Sequence, residues 1–107
     1  MAAINDFLAL DMRVGKIIDV ADLESRKPMY RLKIDLGELG VKNIAAGIKE
    51  AYSKEELIGK NVIVLANIES KKIADFLSEG MILAAEEGGK ISLILTDKEM
   101  PSGSKVR

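Results

Sequence analysis

The chain has 107 residues and a formal net charge of -1, with 48% hydrophobic and 31% charged residues. This length and apolar content suit a single domain with one core, so we expect residues 1–107 to form one domain. The absence of cysteine and histidine excludes thiolate chemistry and removes the usual metal ligands and the commonest general base. We therefore expect a protein that is not an enzyme and that uses no metal or cofactor.

Charge is distributed unevenly along the chain. Residues 1–25 contain 2 Lys/Arg against 5 Asp/Glu, residues 26–72 contain 10 against 6, and residues 73–107 contain 4 against 6. The basic middle segment is compatible with a nucleic-acid partner, although from charge alone a chance cluster is the simpler explanation. No apolar run reaches the roughly 20 residues that span a bilayer, and no signal-peptide pattern is present, so we expect a cytoplasmic protein.

Alternating apolar residues predict the first strands. Met12–Val20 has the period of a half-buried strand, and Gly15 within it indicates a bulge or a sharp bend. Tyr30–Leu36 alternates cleanly, so that Leu32, Ile34 and Leu36 face the core while Arg31, Lys33 and Asp35 face outwards. Gly37–Gly40 predicts a hairpin turn before a third strand over Val41–Ala46.

A short helix and further strands follow. Ser53 and Glu56 form a capping box that predicts a helix ended by Gly59. Asn61–Ala66 and Met81–Ala85 are nearly continuous apolar runs, typical of strands buried on both faces, and Ile91–Leu95 predicts another strand. This arrangement favours an all-β, five-stranded Greek-key barrel with a short helix between strands 3 and 4.

The densest group of candidate functional residues lies between the last two apolar runs. Asn67 has an amide that can pair with a base edge, and Lys71 and Lys72 suit phosphates. Ser78 and Glu79 precede the strand that begins at Met81. An ordinary polar loop ending in a plain turn is the alternative interpretation.

A second group of cations is predicted on the sheet itself. Arg31 and Lys33 on the second strand, with Lys42 on the third, would form a basic outer face of the kind that small barrels present to single strands. A solvated surface explains these residues equally well. Aromatic residues are scarce, so we do not expect base stacking to dominate, and we expect Phe7 and Phe76 in the core or at an interface.

Four sequence blocks closely resemble the tRNA-binding domain family, namely Asp6–Ile17, Ala66-Asn67, Lys71–Ile73 and Ser78–Ala85. Their order and intervals make the match specific, and it covers nearly the whole chain. The family includes the β subunit or C-terminal domain of methionyl-tRNA synthetases, stand-alone tRNA-binding proteins and CsaA-type chaperones. The resemblance implies an oligonucleotide-binding (OB) fold, usually homodimeric, that binds tRNA with little sequence selectivity.

The resemblance also implies RNA-binding roles for six residues, which are Asn67, Lys71, Lys72, Ser78, Glu79 and Met81. We expect residues 68–80 to fold over one rim of the barrel and to bring Lys71, Lys72, Ser78 and Glu79 around one nucleotide-sized depression. The lysines would hold phosphates, Asn67 and Ser78 would bind a base or ribose, Glu79 would accept from a base amine or orient a lysine, and Met81 would support a base.

Two functions follow from the resemblance. The favoured one is a tRNA-binding module that strengthens tRNA binding by a methionyl-tRNA synthetase catalytic chain. The alternative is a CsaA-type chaperone for unfolded or presecretory polypeptides, because Ser25–Asp35 is closer to that branch. The terminal segments Ile4–Leu10 and Met100–Val106 carry apolar residues that a five-stranded barrel does not bury, which together with the resemblance predicts a homodimer.

Overall fold

A computed structural model describes every residue from Met1 to Arg107. In chain order its elements are α1 (Ile4–Leu8), β1 (Met12–Leu23), β2 (Met29–Asp35), a 3-10 turn (Gly37–Leu39), β3 (Val41–Ala46), α2 (Lys54–Leu57), β4 (Asn61–Leu65), β5 (Lys71–Ile73), β6 (Phe76–Ser78), β7 (Met81–Ile82), β8 (Ala84–Glu87) and β9 (Lys90–Leu93). Strands β5 and β6 form one hairpin, and β8 and β9 form another.

The main sheet has five antiparallel strands in the order β3-β2-β1-β4-β7. The long strand β1 pairs with β4 over Met12–Lys16 and with β2 over Lys16–Leu23. A register shift between Ile17 and Asp19 marks a bulge, which bends the strand and curls the sheet. The curl brings the edge strands β3 and β7 into contact. The predicted all-β, OB-like fold, with a helix between its third and fourth strands, is therefore confirmed.

The core fills the inside of the curl. Its fully buried side chains are Ile17, Leu32, Ile34, Leu36, Ile44, Leu57, Val62 and Val64. The alternation of β2 is confirmed, because its even-numbered residues from Tyr30 to Ile34 are buried while Arg31 and Lys33 are exposed. The prediction for Asn61–Ala66 also agrees, since Val62, Ile63 and Val64 are all buried.

Gly15 has a packing role and does not mark the bulge. It pairs regularly with Val62, and the register shift lies further along the strand. A Cβ on Gly15 would lie 2.5 Å from Cγ2 of Ile34 and 2.8 Å from Cδ2 of Leu36. Only glycine therefore lets β1 approach the core side chains of β2 this closely.

The predicted helix forms over Lys54–Leu57, and its capping box is complete. The Glu56 amide donates to Oγ of Ser53 at 3.3 Å, and the Ser53 amide donates to Oε1 of Glu56 at 2.6 Å. These two bonds satisfy amides that a helix start leaves free. Leu57 is fully buried, so this short helix is anchored by one side chain in the core.

The prediction of one strand over Met81–Ala85, buried on both faces, is wrong. Only Met81–Ile82 belong to the main sheet, and among these five residues Ile82 alone is buried. The Leu83 amide makes the last bond of this segment to β4, donating to the Ile63 carbonyl, while the Leu83 carbonyl accepts from the Ile94 amide, and beyond Leu83 the chain leaves the sheet. Ala84–Glu87 then pair with Lys90–Leu93 in a separate, largely exposed hairpin.

Both termini lie outside the barrel strands, as expected. The C-terminal tail runs along β1, where the Val14 amide donates to the Ser104 carbonyl at 2.8 Å and the Gly103 amide donates to the Val14 carbonyl at 2.7 Å. Helix α1 buries none of its residues. None of the helices has the length and apolar character needed to cross a membrane.

Candidate nucleic-acid interface

Four basic side chains line one groove of about 620 Å³. Arg26 and Lys27 come from the loop between β1 and β2, and Lys71 and Lys72 come from β5 on the opposite wall. The ion pairs of the protein involve other residues, so the positive charges of these four side chains are not neutralised by ion pairs. Such a groove attracts the phosphates of an extended polyanion.

The wall that carries Lys71 and Lys72 is more regular than the predicted loop. In the β5–β6 hairpin Lys71 lies opposite Ser78 and Lys72 lies opposite Leu77. The turn contains Ala74 with a φ of 54°, in the left-handed region that L-residues rarely adopt. The two lysines are therefore presented from a paired strand, and their positions are better defined than in an open loop.

The outer face of β2 continues this surface. Arg31 and Lys33 lie there as predicted, and Lys33 is in register with Asn43 of β3. Arg31, Lys33, Asn43 and the half-buried Phe76 line a depression of about 210 Å³. A neighbouring depression of about 440 Å³ also contains Arg31 and Phe76. The face thus combines two cations, an amide and an aromatic ring with the carboxylate of Asp19, which lines the smaller depression and lies opposite Lys33.

Lys42 does not belong to this outer face. It pairs with the buried Ile34 and alternates with Ile44 and Ala46, which are also buried. Since residues two apart share one face of a strand, Lys42 lies on the core side of β3, where it is half-buried. Asn43, one residue further along, occupies the outward position that had been predicted for Lys42.

Asn67 holds the N-terminal segment against the barrel. Its Oδ1 accepts from the Asp11 amide at 2.7 Å, and its Nδ2 donates to the Ala9 carbonyl at 2.9 Å. The next bond in this series runs from the Ala66 amide to the Asp11 carbonyl at 2.8 Å. Both polar ends of the Asn67 amide are therefore engaged inside the protein, and this geometry gives no support to the predicted contact with a base.

Ser78 and Glu79 close the barrel along the free edge of β3. Oγ of Ser78 accepts from the Ala45 amide at 3.0 Å and donates to the Gly80 carbonyl at 3.2 Å. Oε1 of Glu79 accepts from the Asn43 amide at 2.9 Å, while the Glu79 amide donates to the Asn43 carbonyl at 2.8 Å. These bonds satisfy edge groups that would otherwise need a neighbouring strand.

Met81 lies on a different surface from the lysines. It is 44% exposed and is paired with Leu65. The shallow depression beside it measures about 330 Å³ and is mainly apolar, with lining residues that include Ala45, Ile48 and Ile91. The expectation that Lys71, Lys72, Ser78 and Glu79 surround one depression is also wrong, because Lys71 and Lys72 line the basic groove while Ser78 and Glu79 bond to β3.

Four groove or face residues were absent from the sequence-based predictions of the site, namely Arg26, Lys27, Asn43 and Phe76. Arg26 and Lys27 were available as a basic pair in the loop between the first two strands, and small barrels of this type bind oligonucleotides with that loop and the loop between strands four and five. Phe76 was expected in the core or at an interface, but it lies outside the buried core and lines the outer face. The position of Phe76 depends on the β5–β6 hairpin, and the local sequence pattern does not predict that hairpin.

Comparison with known proteins identifies relatives of this chain. Residues 12–105 match the family described as "Putative tRNA binding domain". The methionine–tRNA ligase of Thermococcus onnurineus is 43% identical over 102 residues, which are 95% of this chain and 14% of the ligase. The crystal structure of chaperone CsaA from Bacillus anthracis has a TM-score of 0.95 with 38% identity, covering 100% of this chain and 99% of that one.

A second solved structure, the MetRS-related protein from Pyrococcus horikoshii, has a TM-score of 0.91 with 30% identity and covers 100% of this chain and 98% of that one. This chain thus spans about 14% of the length of the ligases that it matches and nearly all of the two solved structures. The blocks that carried the resemblance in the sequence lie largely within the matched residues. The chain belongs to the tRNA-binding domain family.

Proposed function

We propose that this chain is a tRNA-binding module without catalytic activity of its own, and that it strengthens tRNA binding by a methionyl-tRNA synthetase. The observation that carries the proposal is the basic groove between the β1–β2 loop and the β5–β6 hairpin, formed by Arg26, Lys27, Lys71 and Lys72. These two segments flank the outer face of β2 and β3, which is the surface that OB barrels use for oligonucleotides. Because tRNA is used in the cytoplasm, we also propose that the protein is located there.

Binding in this groove is electrostatic and weakly selective. Lysine and arginine contacts to phosphates hold the backbone, which is chemically the same in every tRNA. Each neutralised phosphate releases counterions, so four contacts would give a plot of log affinity against log salt with a slope of about -3. Such a module supplies affinity to an attached or associated enzyme by raising the effective concentration of tRNA near it.

The proposed assembly is a homodimer. In α1, Ile4 is 71% exposed and Leu8 is 66% exposed. The N-terminal segment lies beside the C-terminal tail, because Nζ of Lys105 is 3.0 Å from Oδ1 of Asp11, and the tail exposes Met100. Apolar residues from both termini thus form an exposed region that a second copy of the chain would cover.

The test of the proposed function is filter binding of bulk tRNA over a range of salt concentrations. Lys71→Glu combined with Lys72→Glu should weaken binding to all tRNAs about equally and should flatten the salt slope by about one unit per lost contact. The matched control is Lys90→Glu combined with Lys98→Glu, which makes the same change in net charge on exposed lysines outside the groove. The control should keep the wild-type slope.

Equal affinity of the groove variant and the wild type, with normal folding, would place the RNA surface elsewhere. Arg31 and Lys33 on β2 would then be the next residues to reverse. Absence of tRNA binding by the wild-type chain at low salt would refute the proposed function itself.

A chaperone is the second candidate, and the apolar depression beside Met81 favours it. This surface is separate from the basic groove, so the two functions can be tested independently. A pull-down with an unfolded polypeptide should fail if tRNA binding is the function of the chain. Capture of the polypeptide that persists in excess tRNA and is lost in Met81→Glu would support the chaperone function instead.

A further inference from the structure

We propose that the ring of Phe76 is a stacking platform for one unpaired base, so that the chain prefers single-stranded RNA segments over duplex. The proposal rests on the proposed RNA-binding function of the same surface and specifies its substrate class. A base inside a duplex is already stacked on both sides, whereas a base in a loop or at an end offers a free face.

Phe76 is the aromatic residue at the centre of the candidate interface. It lines the depression that contains Arg31, Lys33 and Asn43, and it also lines the neighbouring depression that contains Arg31 and Ala74. The side chain is half-buried, so part of the ring packs against the protein while the remainder is available to a ligand. Because the ring is already held in place, less side-chain entropy is lost when a base stacks on it.

The two tyrosines are engaged elsewhere. Tyr30 is buried in the core, and its hydroxyl donates to the Tyr52 carbonyl at 2.8 Å. The Tyr52 hydroxyl in turn accepts from the Leu93 amide at 2.9 Å. Phe7 belongs to α1 near the N-terminus. Phe76 is therefore the ring that the fold places among the cations of the β2 face.

The neighbours of Phe76 can complete a nucleotide site. Arg31 borders both depressions, so its guanidinium can cover the second face of a stacked base or hold the adjacent phosphate. Asn43 uses its backbone for bonds to Glu79 and leaves its side-chain amide beside the depression, where it can pair with a base edge. Lys33 adds a point charge.

The three depressions adjoin one another, because each shares lining residues with the next. Ala74 borders both the basic groove and the middle depression, while Arg31 and Phe76 border both the middle and the last depression. The middle depression is also lined by Glu24 and Asp75, whose carboxylates repel phosphate. A single strand would therefore keep its backbone in the basic groove and turn a base towards Phe76.

The experiment uses the full chain and a short single-stranded RNA that carries one 2-aminopurine, whose fluorescence falls when it stacks. Phe76→Leu keeps an apolar side chain but removes the ring. We expect it to abolish the fluorescence change and to weaken binding of this RNA and of tRNA about tenfold, within the range known for base–aromatic stacking. The salt slope should be unchanged, because no phosphate contact is lost.

Two further variants and one further RNA complete the design. Phe76→Trp retains an aromatic face and should preserve both affinity and fluorescence change. Leu77→Ala removes an exposed apolar side chain one residue away, on the opposite face of the strand, and should leave both unchanged. The same RNA annealed into a duplex should bind more weakly, and Phe76→Leu should not affect duplex binding. Thermal unfolding confirms that each variant is folded.

The proposal is overturned if folded Phe76→Leu binds the single strand with wild-type affinity and fluorescence change, or if Phe76→Trp loses both. It is also overturned if the duplex binds as tightly as the single strand. In each of these cases a steep salt slope for tRNA would leave the proposed function intact. If the wild-type chain binds no RNA at low salt, it is the proposed function that fails.

Discussion

Replacing Ser78 by alanine should destabilise the fold without removing an RNA contact. Its hydroxyl is in a side chain that is only 5% exposed, and it bonds to the Ala45 amide and the Gly80 carbonyl. Without it, both backbone groups lose a partner, and each unsatisfied buried group costs about 1–3 kcal/mol. Because Ala45 is half-buried and water can reach it in part, we expect a total loss of about 2–4 kcal/mol.

The loss can be measured by urea and thermal unfolding. A change of 2 kcal/mol should lower the Tm by about 8–16 °C for a domain of this size, and the urea midpoint should fall with little change in the m-value. Ser70→Ala is the matched control, because Ser70 is exposed and should change stability by less than about 0.5 kcal/mol. Below its melting temperature, Ser78→Ala should bind tRNA with the wild-type salt slope.

The opposite pattern would refute this reasoning. If Ser78→Ala is as stable as Ser70→Ala but binds tRNA more weakly, Ser78 contacts the RNA directly, as the family resemblance implies. Glu79 offers a second comparison, since Glu79→Gln keeps an oxygen that can accept from the Asn43 amide whereas Glu79→Ala does not. If Glu79 closes the barrel, Glu79→Ala should be less stable than Glu79→Gln.

Three other predictions concern the termini. Asn67→Ala should lower stability by about 1–2 kcal/mol and expose the first residues to limited proteolysis, and weaker tRNA binding by the folded variant with an unchanged salt slope would instead indicate a direct contact. Hydrogen bonds from Arg13 and Lys105 lower the pKa of Asp11. The ionised carboxylate therefore stabilises the fold above the unfolded-state pKa, and this stabilisation is lost as the pH falls through the folded-state pKa. In urea titrations below about pH 5, Asp11→Asn should lose less stability with falling pH than the wild type does. Ile4→Lys with Leu8→Lys should convert the proposed dimer to a monomer in sedimentation, and a monomeric wild type would refute the dimer.

The parts of the fold that the sequence predicted well depend on near neighbours. The alternation of β2 assigns each residue to one face, and the bond between Ser53 and Glu56 spans only three residues. The failure at Met81–Ala85 has a non-local cause. An apolar run predicts burial, but Leu83 makes the last bond to β4, at Ile63, and the chain then pairs with Lys90–Leu93 in an exposed hairpin. No local pattern specifies those partners.

The same distinction applies to the candidate site. The placement of Lys71 and Lys72 at an exposed basic surface agrees with the sequence, because charge is a property of the residues themselves, and their contact with phosphates stays a prediction. The bonds of Ser78, Glu79 and Asn67 join residues 33, 36 and 56 positions apart. Their amide and carboxylate groups suggested ligand contacts in the sequence, but their partners are backbone groups that only the folded chain brings near.

Closure of the barrel through backbone bonds is compatible with one fold that serves both tRNA-binding and chaperone-named relatives. Ser78 and Glu79 bond to the backbone of β3, so they can close the barrel whatever side chains β3 presents outwards. A motif of this kind should be compatible with different ligands and should not by itself indicate which one binds. We propose that the groove and face residues determine the ligand instead, above all through the charges of Lys71 and Lys72 and the ring of Phe76. Reversing those charges should therefore weaken tRNA binding in a chain that still folds, whereas changing Ser78 should affect any ligand of the fold through stability alone.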